Sequence, residues 1–168
     1  MEKLKSLLYD ANKLFETADH LAYVTYPLIK DTKLLTTVAD NLHNALLKSM
    51  EALLHYDRLY KRIPPYGTSF IEMFQIFKSR CAPRYSIPRE GIMVLQDLHE
   101  FIETRKKSTL EFSRRDKFVI ATREYRLSAL TLDKLKNYIY QSKRFLAQVN
   151  NILLKEIRRF EDVRGIRG

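Results

Sequence analysis

The chain has 168 residues, a net charge of +10 and a single cysteine. Its length fits one domain with a proper hydrophobic core, and 45% hydrophobic with 30% charged residues is the balance of a globular protein. A lone cysteine excludes an internal disulfide, and charges interrupt every apolar run well before the length of a membrane span. We therefore expect one domain, residues 1–168, in the reducing cytoplasm and without a membrane partner.

The first predicted element is an amphipathic helix from about Glu2 to about Tyr26. Pro27 should end or kink it, because proline lacks the backbone donor that the next turn needs. Leucines recur at seven-residue spacing, close to two helical turns, and therefore share one face of the helix. These leucines are Leu7, Leu14, Leu21 and Leu28.

The second predicted element is another long helix. It should start near Asp31 or Thr32, either of which can cap its free amide groups. Apolar residues then recur at helical spacing to about Arg62, and the pair Pro64-Pro65 stops the helix.

Two shorter helices are predicted in the middle of the chain. Ser69 or the preceding threonine caps an aromatic helix that ends around Arg80. Pro83 and Pro88 then bracket a loop, residues 84–87. A further amphipathic helix is expected from about residue 89 to residue 106.

The last part of the chain combines a β-hairpin with one long helix. Residues 117–122 are β-branched and aromatic, and residues 125–130 alternate with period two, which predicts two paired strands. The final helix should be capped by Thr131 and continue to about Val163. Its apolar residues again recur every seven positions, at Leu132, Ile139, Leu146, Leu153 and Phe160.

These elements predict a mainly α protein. The fold class is a helical bundle of about four to five helices with a small β-hairpin inserted before the last long helix. The terminal heptads favour packing within one bundle over a long exposed coiled coil. Such a coil needs apolar residues at two positions of each heptad, and the polar Ser142 and Glu156 occupy the second position. A dimer through the end of the last helix is the alternative.

A polar cluster near the end of the second helix is the first candidate site. His55 and Arg58 are one helical turn apart, so the imidazole can act as an acid or base beside a phosphate-binding cation. Cations at a helix C-terminus also favour the helix dipole, and the sequence gives this structural explanation the greater weight. His55 and Arg58 are therefore weak catalytic candidates.

No cofactor, metal ion or small-molecule substrate is predicted. Asp40, His43 and Asn44 share a helix face at the spacing of metal ligands, but neither a Cys pair nor a second closely spaced His completes a metal site. Cys81 lies among cations that can lower a thiol pKa. Without an identifiable base, a buried and unreactive Cys81 is the expected outcome.

Basic residues interleaved with aromatic residues are the strongest functional hint. Single-stranded RNA or DNA binding needs cations for phosphates and rings for base stacking. A net charge of +10 favours such encounters, although a solvated coat of Lys and Arg explains it equally well. The candidate nucleic-acid-binding residues are Arg80, Arg84, Tyr85, Arg89, Lys106, Lys107, Arg114, Arg115 and Lys117.

Two segments carry a resemblance to known proteins. The stretch from Leu53 to Pro65 and the stretch from Glu111 to Val119 resemble a family of small archaeal helical proteins. The resemblance implies a helical fold and an archaeal cytoplasmic protein, and it implies no activity. The chain is also distantly similar to HEPN-type bundles, several of which are RNases. Their Arg-x4–6-His motif is absent, since Arg89 and His99 are too far apart, so this similarity implies architecture alone.

Three functions follow from these features. The favoured one is a non-catalytic binding or adaptor module that holds a protein partner, or another copy of itself, on a face of the bundle. The alternative is an RNA- or DNA-binding protein that uses the basic clusters at residues 78–89 and 105–117. The third is an RNA-processing enzyme with its site at His55 and Arg58.

Overall fold

The computed structural model describes residues 1–165, which form five helical segments and one three-stranded antiparallel sheet. This architecture confirms the predicted fold class. The first segment joins α1 (Glu2–His20) and α2 (Tyr26–Ile29), and the third joins α4 (Phe70–Ile76) and α5 (Ala82–Arg84). The second, fourth and fifth segments are α3 (Lys33–Leu59), α6 (Arg89–Lys107) and α7 (Leu132–Gly165).

The first helical segment continues past Pro27 to Ile29, further than predicted. A π-helical turn, Leu21–Thr25, precedes the proline and is closed by the bond from the Tyr26 amide to the Leu21 carbonyl. The wider turn accommodates a ring that would clash with the carbonyl four residues earlier in an α-helix. Its extra residue rotates the following face by about 100°, so Leu28, predicted on the packed face, is 81% exposed.

The same arrangement recurs before the second internal proline. The π turn Phe77–Cys81 is closed by the bond from the Ala82 amide to the Phe77 carbonyl, and α5 follows it. The helix predicted to end around residue 80 therefore extends by one turn to Arg84, the first residue of the predicted loop. This turn carries Cys81 into the core and places Tyr85 directly after the helix.

Besides α2, which ends at the left-handed Lys30, two helix ends are closed by a left-handed residue that is not glycine. At the end of α3, Lys61 has a φ of 56°, and the Arg62 amide donates to the Asp57 carbonyl at 2.8 Å. At the end of α5, Ser86 has a φ of 51°, and the Ile87 amide donates to the carbonyl of the residue five positions earlier at 3.0 Å. Both ends are Schellman motifs, in which glycine is the usual left-handed residue.

The sheet has the strand order β1 (Leu110–Arg114), β2 (Lys117–Ala121) and β3 (Leu127–Leu130). The predicted hairpin corresponds to β2 and β3, and β1 is an additional strand paired to the other side of β2. Alternate residues of the sheet face the helices, and they include Phe118 and Ile120 in the hydrophobic core. The opposite face is directed away from that core.

The helix α7 passes along the whole bundle and closes its core. Three of its predicted heptad residues are fully or nearly fully buried, whereas the first and last are half-buried. The helix is capped as predicted, since the amide of Lys134 donates to the Thr131 hydroxyl at 3.2 Å. The helices α6 and α7 pack tightly at Gly91, where an added Cβ would lie 2.8 Å from the Phe145 Cβ.

Candidate functional site

Asp57 is the centre of a polar cluster that joins the ends of two helical segments. Its carboxylate is fully buried and accepts a hydrogen bond from Arg84 at 2.5 Å and another from the Tyr85 hydroxyl. The Cys81 thiol donates to it at 3.3 Å, and an Arg62 nitrogen lies 3.5 Å from its second oxygen. A buried carboxylate needs such partners, because its desolvation is otherwise costly.

Two of the predicted nucleic-acid-binding residues are bound to Asp57 within this cluster. Arg84 neutralises Asp57, and Tyr85 both donates to Asp57 and accepts a 3.0 Å hydrogen bond from Arg62. Burial and the Asp57 carboxylate raise the pKa of the Cys81 thiol, so the thiol stays protonated and unreactive at neutral pH. The arrangement holds α5 against the end of α3 and offers neither a free nucleophile nor a free cation.

The weak catalytic candidates His55 and Arg58 lie apart from the Asp57 carboxylate. His55 is half-buried and lines a cavity of about 230 Å³ with Lys3, Glu51 and Tyr66. Burial, with Lys3 as a second cause, lowers the pKa of His55 and favours its neutral form. Among the described residues, neither the His55 nor the Arg58 side chain makes a hydrogen bond.

A stack of rings joins α3, α4 and α6. The ring centroids of Phe70 and His99 are 3.6 Å apart, and His99 Nδ1 lies 3.4 Å from His43 Nε2. Burial is the main cause that lowers the pKa of His43 to about 4, and the neighbouring His99 adds to it. Burial also lowers the pKa of His99, so both imidazoles are neutral at physiological pH, and the stack secures α4 to the bundle.

The remaining basic residues do not converge on one surface. The loop after α5 lies against Asp57 in the last turn of α3, whereas Ser113 of β1 makes a hydrogen bond with Thr32 just before α3 begins. A helical rise of 1.5 Å per residue places these two points roughly 37 Å apart. The nucleic-acid-binding set predicted from the sequence is thus divided between opposite ends of α3.

The sheet face directed away from the helices carries apolar residues, two of them exposed to solvent. Strand pairing aligns Phe112, Val119 and Ala129 in one row across the three strands, and Leu110, Ala121 and Leu127 in the next. Leu110 is 56% exposed and Leu127 is 67% exposed, whereas Val119 in the central strand is 7% exposed and the other three residues are half-buried. We use the name outer sheet face for these six residues.

Cations border one end of the outer sheet face. Arg114 pairs with Lys117 in the register of β1 and β2, and the tight turn between them consists of Arg115 and Asp116. These four residues line a groove of about 410 Å³ together with Phe112, Val119, Leu127 and Ala129 of the outer sheet face. Within the described part of the chain, Arg114, Arg115 and Lys117 form no salt bridge, so their charges are free to meet a partner.

The other predicted binding residues at this end of the molecule are less available. Lys106 donates to Glu103 at 2.9 Å, and Arg105 is held by Glu111 at the same distance. Lys107 is exposed at the end of α6, near residues 122–126. At the other end, Arg80 and Arg89 are exposed near the loop after α5.

The sequence reasoning identified the cations of this groove but missed its apolar part. The segment from residue 110 to residue 114 mixes charged, polar and apolar residues, so it carried no clear strand signal. Once β1 is present, the alternation of β2 implies that Val119 and Phe112 share the face opposite Phe118. The alternating pattern of β2 could therefore have indicated the apolar outer face, had the residues on both sides of the strand been considered.

Comparisons with protein-family models, with curated proteins and with solved structures find no match for this chain. The family suggested by the two segments therefore stays a prediction. Over residues 1–165, no helix is long and apolar enough to cross a membrane. The same residues contain no group of three His, Cys, Asp or Glu side chains placed to hold a metal ion.

Proposed function

We propose that the protein is a non-catalytic binding module that holds a protein partner on the outer sheet face. The observation that carries this proposal is the sheet itself, which packs Phe118 and Ile120 on the helices and leaves Leu110 and Leu127 open to solvent. A sheet normally buries one or both faces, and an apolar face with a polar border is characteristic of an interaction site.

The composition of the groove favours protein over nucleic acid. Its apolar lining is aliphatic apart from the half-buried ring of Phe112. Single-stranded nucleic acids need several exposed rings on which successive bases stack. Aliphatic side chains of the groove, such as Val119 and Leu127, pack well against the apolar side chains of a protein partner. Those partner side chains are flexible enough to fill the space between the groove residues.

Site-specific photo-crosslinking tests the proposal directly. Leu127 is replaced by p-benzoyl-phenylalanine in cells that naturally produce the protein, and the cells are irradiated. We expect a covalent adduct with a protein, resistant to nuclease. The matched control places the same residue at Leu59, which is 50% exposed and lies at the far end of α3. Adducts of the same kind and yield at both positions, or none at Leu127, would contradict the proposal.

RNA or DNA binding is the second candidate function. It is favoured by three cations without acidic partners at the tight turn, whereas the exposed ring of Tyr125 lies between β2 and β3, at the opposite end of the strands. In the crosslinking experiment this function predicts an adduct at Leu127 that nuclease removes. Binding through phosphate contacts would also weaken steeply as the salt concentration rises.

A further inference from the structure

We propose that the partner presents an acidic amphipathic helix, which lies along the strands on the outer sheet face. This inference rests on the proposed function and adds the chemistry and shape of the bound element. Its basis is the polarity of the face: Leu110 and Leu127 lie at one end, and Arg114, Arg115 and Lys117 lie at the other.

The dimensions of the face fit one helix. Five residues of an extended strand span about 17 Å, and neighbouring strands are about 4.8 Å apart. The face is therefore roughly 17 Å long and about 10 Å across its three strands, which matches a helix of about three turns and 10 Å diameter. A helix in this position would complete a layer on the side of the sheet opposite α3, α6 and α7.

The charges specify the orientation of the helix. Three cations and the single carboxylate of Asp116 surround the tight turn between β1 and β2, so this end of the groove is positive. Acidic residues are most favourable in the first turn of a helix, where they also interact with its dipole. The acidic first turn of the partner helix should lie over Arg114 and Lys117, and its apolar stripe over Phe112, Val119 and Leu127.

The charge complementarity disfavours a second copy of this chain as the occupant. A second copy also carries a net charge of +10, and two such basic turns would repel each other. The unpaired edge of β1 could accept an extended segment instead, but such a strand would lie beside the sheet and leave the groove over its face unfilled. The side chains exposed on the face therefore favour a helix above the sheet.

Binding of designed peptides tests this inference. The probe is a stapled helix of about 12 residues with leucines on one stripe and glutamates in its first turn. One control peptide has the same composition with the stripe scrambled, and a second carries lysines in place of the glutamates. Fluorescence anisotropy should show the acidic helix binding at least about tenfold more tightly than either control, with affinity falling as salt rises.

Variants of the protein locate the bound peptide. Leu127→Ser and Lys117→Glu should each weaken binding about tenfold, and thermal melts should stay close to the wild type because both side chains are exposed. Lys143→Glu on the exposed side of α7 is the matched charge control and should retain most of the affinity.

Three results would overturn the inference. They are equal affinity for the scrambled helix, tighter binding of an extended β-branched peptide of the same charge, and a wild-type dimer that dissociates on Leu127→Ser. If the crosslink at Leu127 still yields a protein adduct while the acidic helix fails, the binding module stands and the helical partner is wrong. If the crosslink also yields nothing, both proposals fail.

Discussion

Lys61 shows at the scale of one residue how this chain departs from sequence expectation. Its left-handed backbone closes α3 and directs the following Arg62 towards Asp57 and Tyr85. A left-handed conformation costs a residue with a Cβ about 1 kcal/mol or more relative to glycine. None of the five left-handed positions of the described chain is a glycine, so the usual glycine signal for helix ends was absent from the sequence.

Replacing Lys61 by glycine should therefore stabilise the protein. We expect Lys61→Gly to raise the free energy of unfolding by about 1 kcal/mol, because the left-handed strain disappears and the exposed lysine makes no side-chain hydrogen bond with a described residue. Urea denaturation measures the change. Lys143→Gly, in the exposed middle of α7, is the control and should lower stability by about 1 kcal/mol. Destabilisation at both positions would show that Lys61 is unstrained.

At the scale of elements, the short helix α4 depends on its ring contacts for its position. Its Phe70 stacks on His99 of α6, which in turn contacts His43 of α3. Glu103 of α6 raises the pKa of His43 and Lys106 of α6 lowers it, and burial is the larger cause of the lowered pKa. The sequence predicted α4 and its Ser69 cap, and the Glu72 amide does donate to Ser69. It gave no signal for the His–Phe stack, because contacts between distant elements leave no periodic pattern.

The lowered pKa of His43 predicts how stability depends on pH. In the unfolded chain His43 titrates near pH 6.5, and in the folded protein near pH 4. Stability from this group is therefore complete above pH 6.5 and is lost as the pH falls towards 4, by about 3 kcal/mol in total. Urea denaturation between pH 7 and pH 4 measures the loss.

The variant His43→Gln isolates this effect, because glutamine stays neutral throughout the range. Carboxylates contribute to the pH dependence of both proteins, so the difference between the two curves reports on His43 and its coupling to His99. We expect the wild type to lose more stability than the variant as the pH falls. Parallel curves would show that His43 can be protonated without cost in the folded state.

At the scale of the whole molecule, the seven-residue pattern of α7 predicted the architecture well. Ile139, Leu146 and Leu153 are buried as expected, since they face the bundle along the middle of the helix. The same pattern in the first helix holds at Leu7 and fails at Leu28, because the π turn changes the phase between them. Periodicity predicts a face only while the helical repeat stays constant.

Removal of the end of α7 should therefore destabilise the entire domain. Truncation after Gln148 removes Val149, Leu153 and Ile157 from the core, and each buried aliphatic side chain is worth about 2–5 kcal/mol. The total is comparable to the stability of a typical domain, about 5–15 kcal/mol. We expect circular dichroism to show no cooperative melting transition.

Truncation after Asp162 is the matched control for α7. It retains the buried residues and the ion pair of Glu161 with Lys5 at 2.5 Å, so its melting temperature should stay close to that of the full chain. A protein shortened at Gln148 that melts like the full chain would show that the terminal turns do not support the core.

The candidate site was predictable only in part. Charge counting found Arg114, Arg115 and Lys117, but also Arg84 and Tyr85, which the structure commits to Asp57. The sequence does not distinguish a buried carboxylate from an exposed one, so the burial of Asp57 could not be predicted. The separation of the two basic clusters follows from the length of α3 and requires the three-dimensional fold.

The close packing at Gly91 has a consequence for the far end of the molecule. A single missing side chain allows α6 and α7 to touch, and the sheet is the chain segment that connects these two helices. Any larger residue at this position would spread the helices and carry both ends of the sheet with them. Substitutions at Gly91, in the interior of the bundle, can therefore change the shape of the groove without contacting a bound partner.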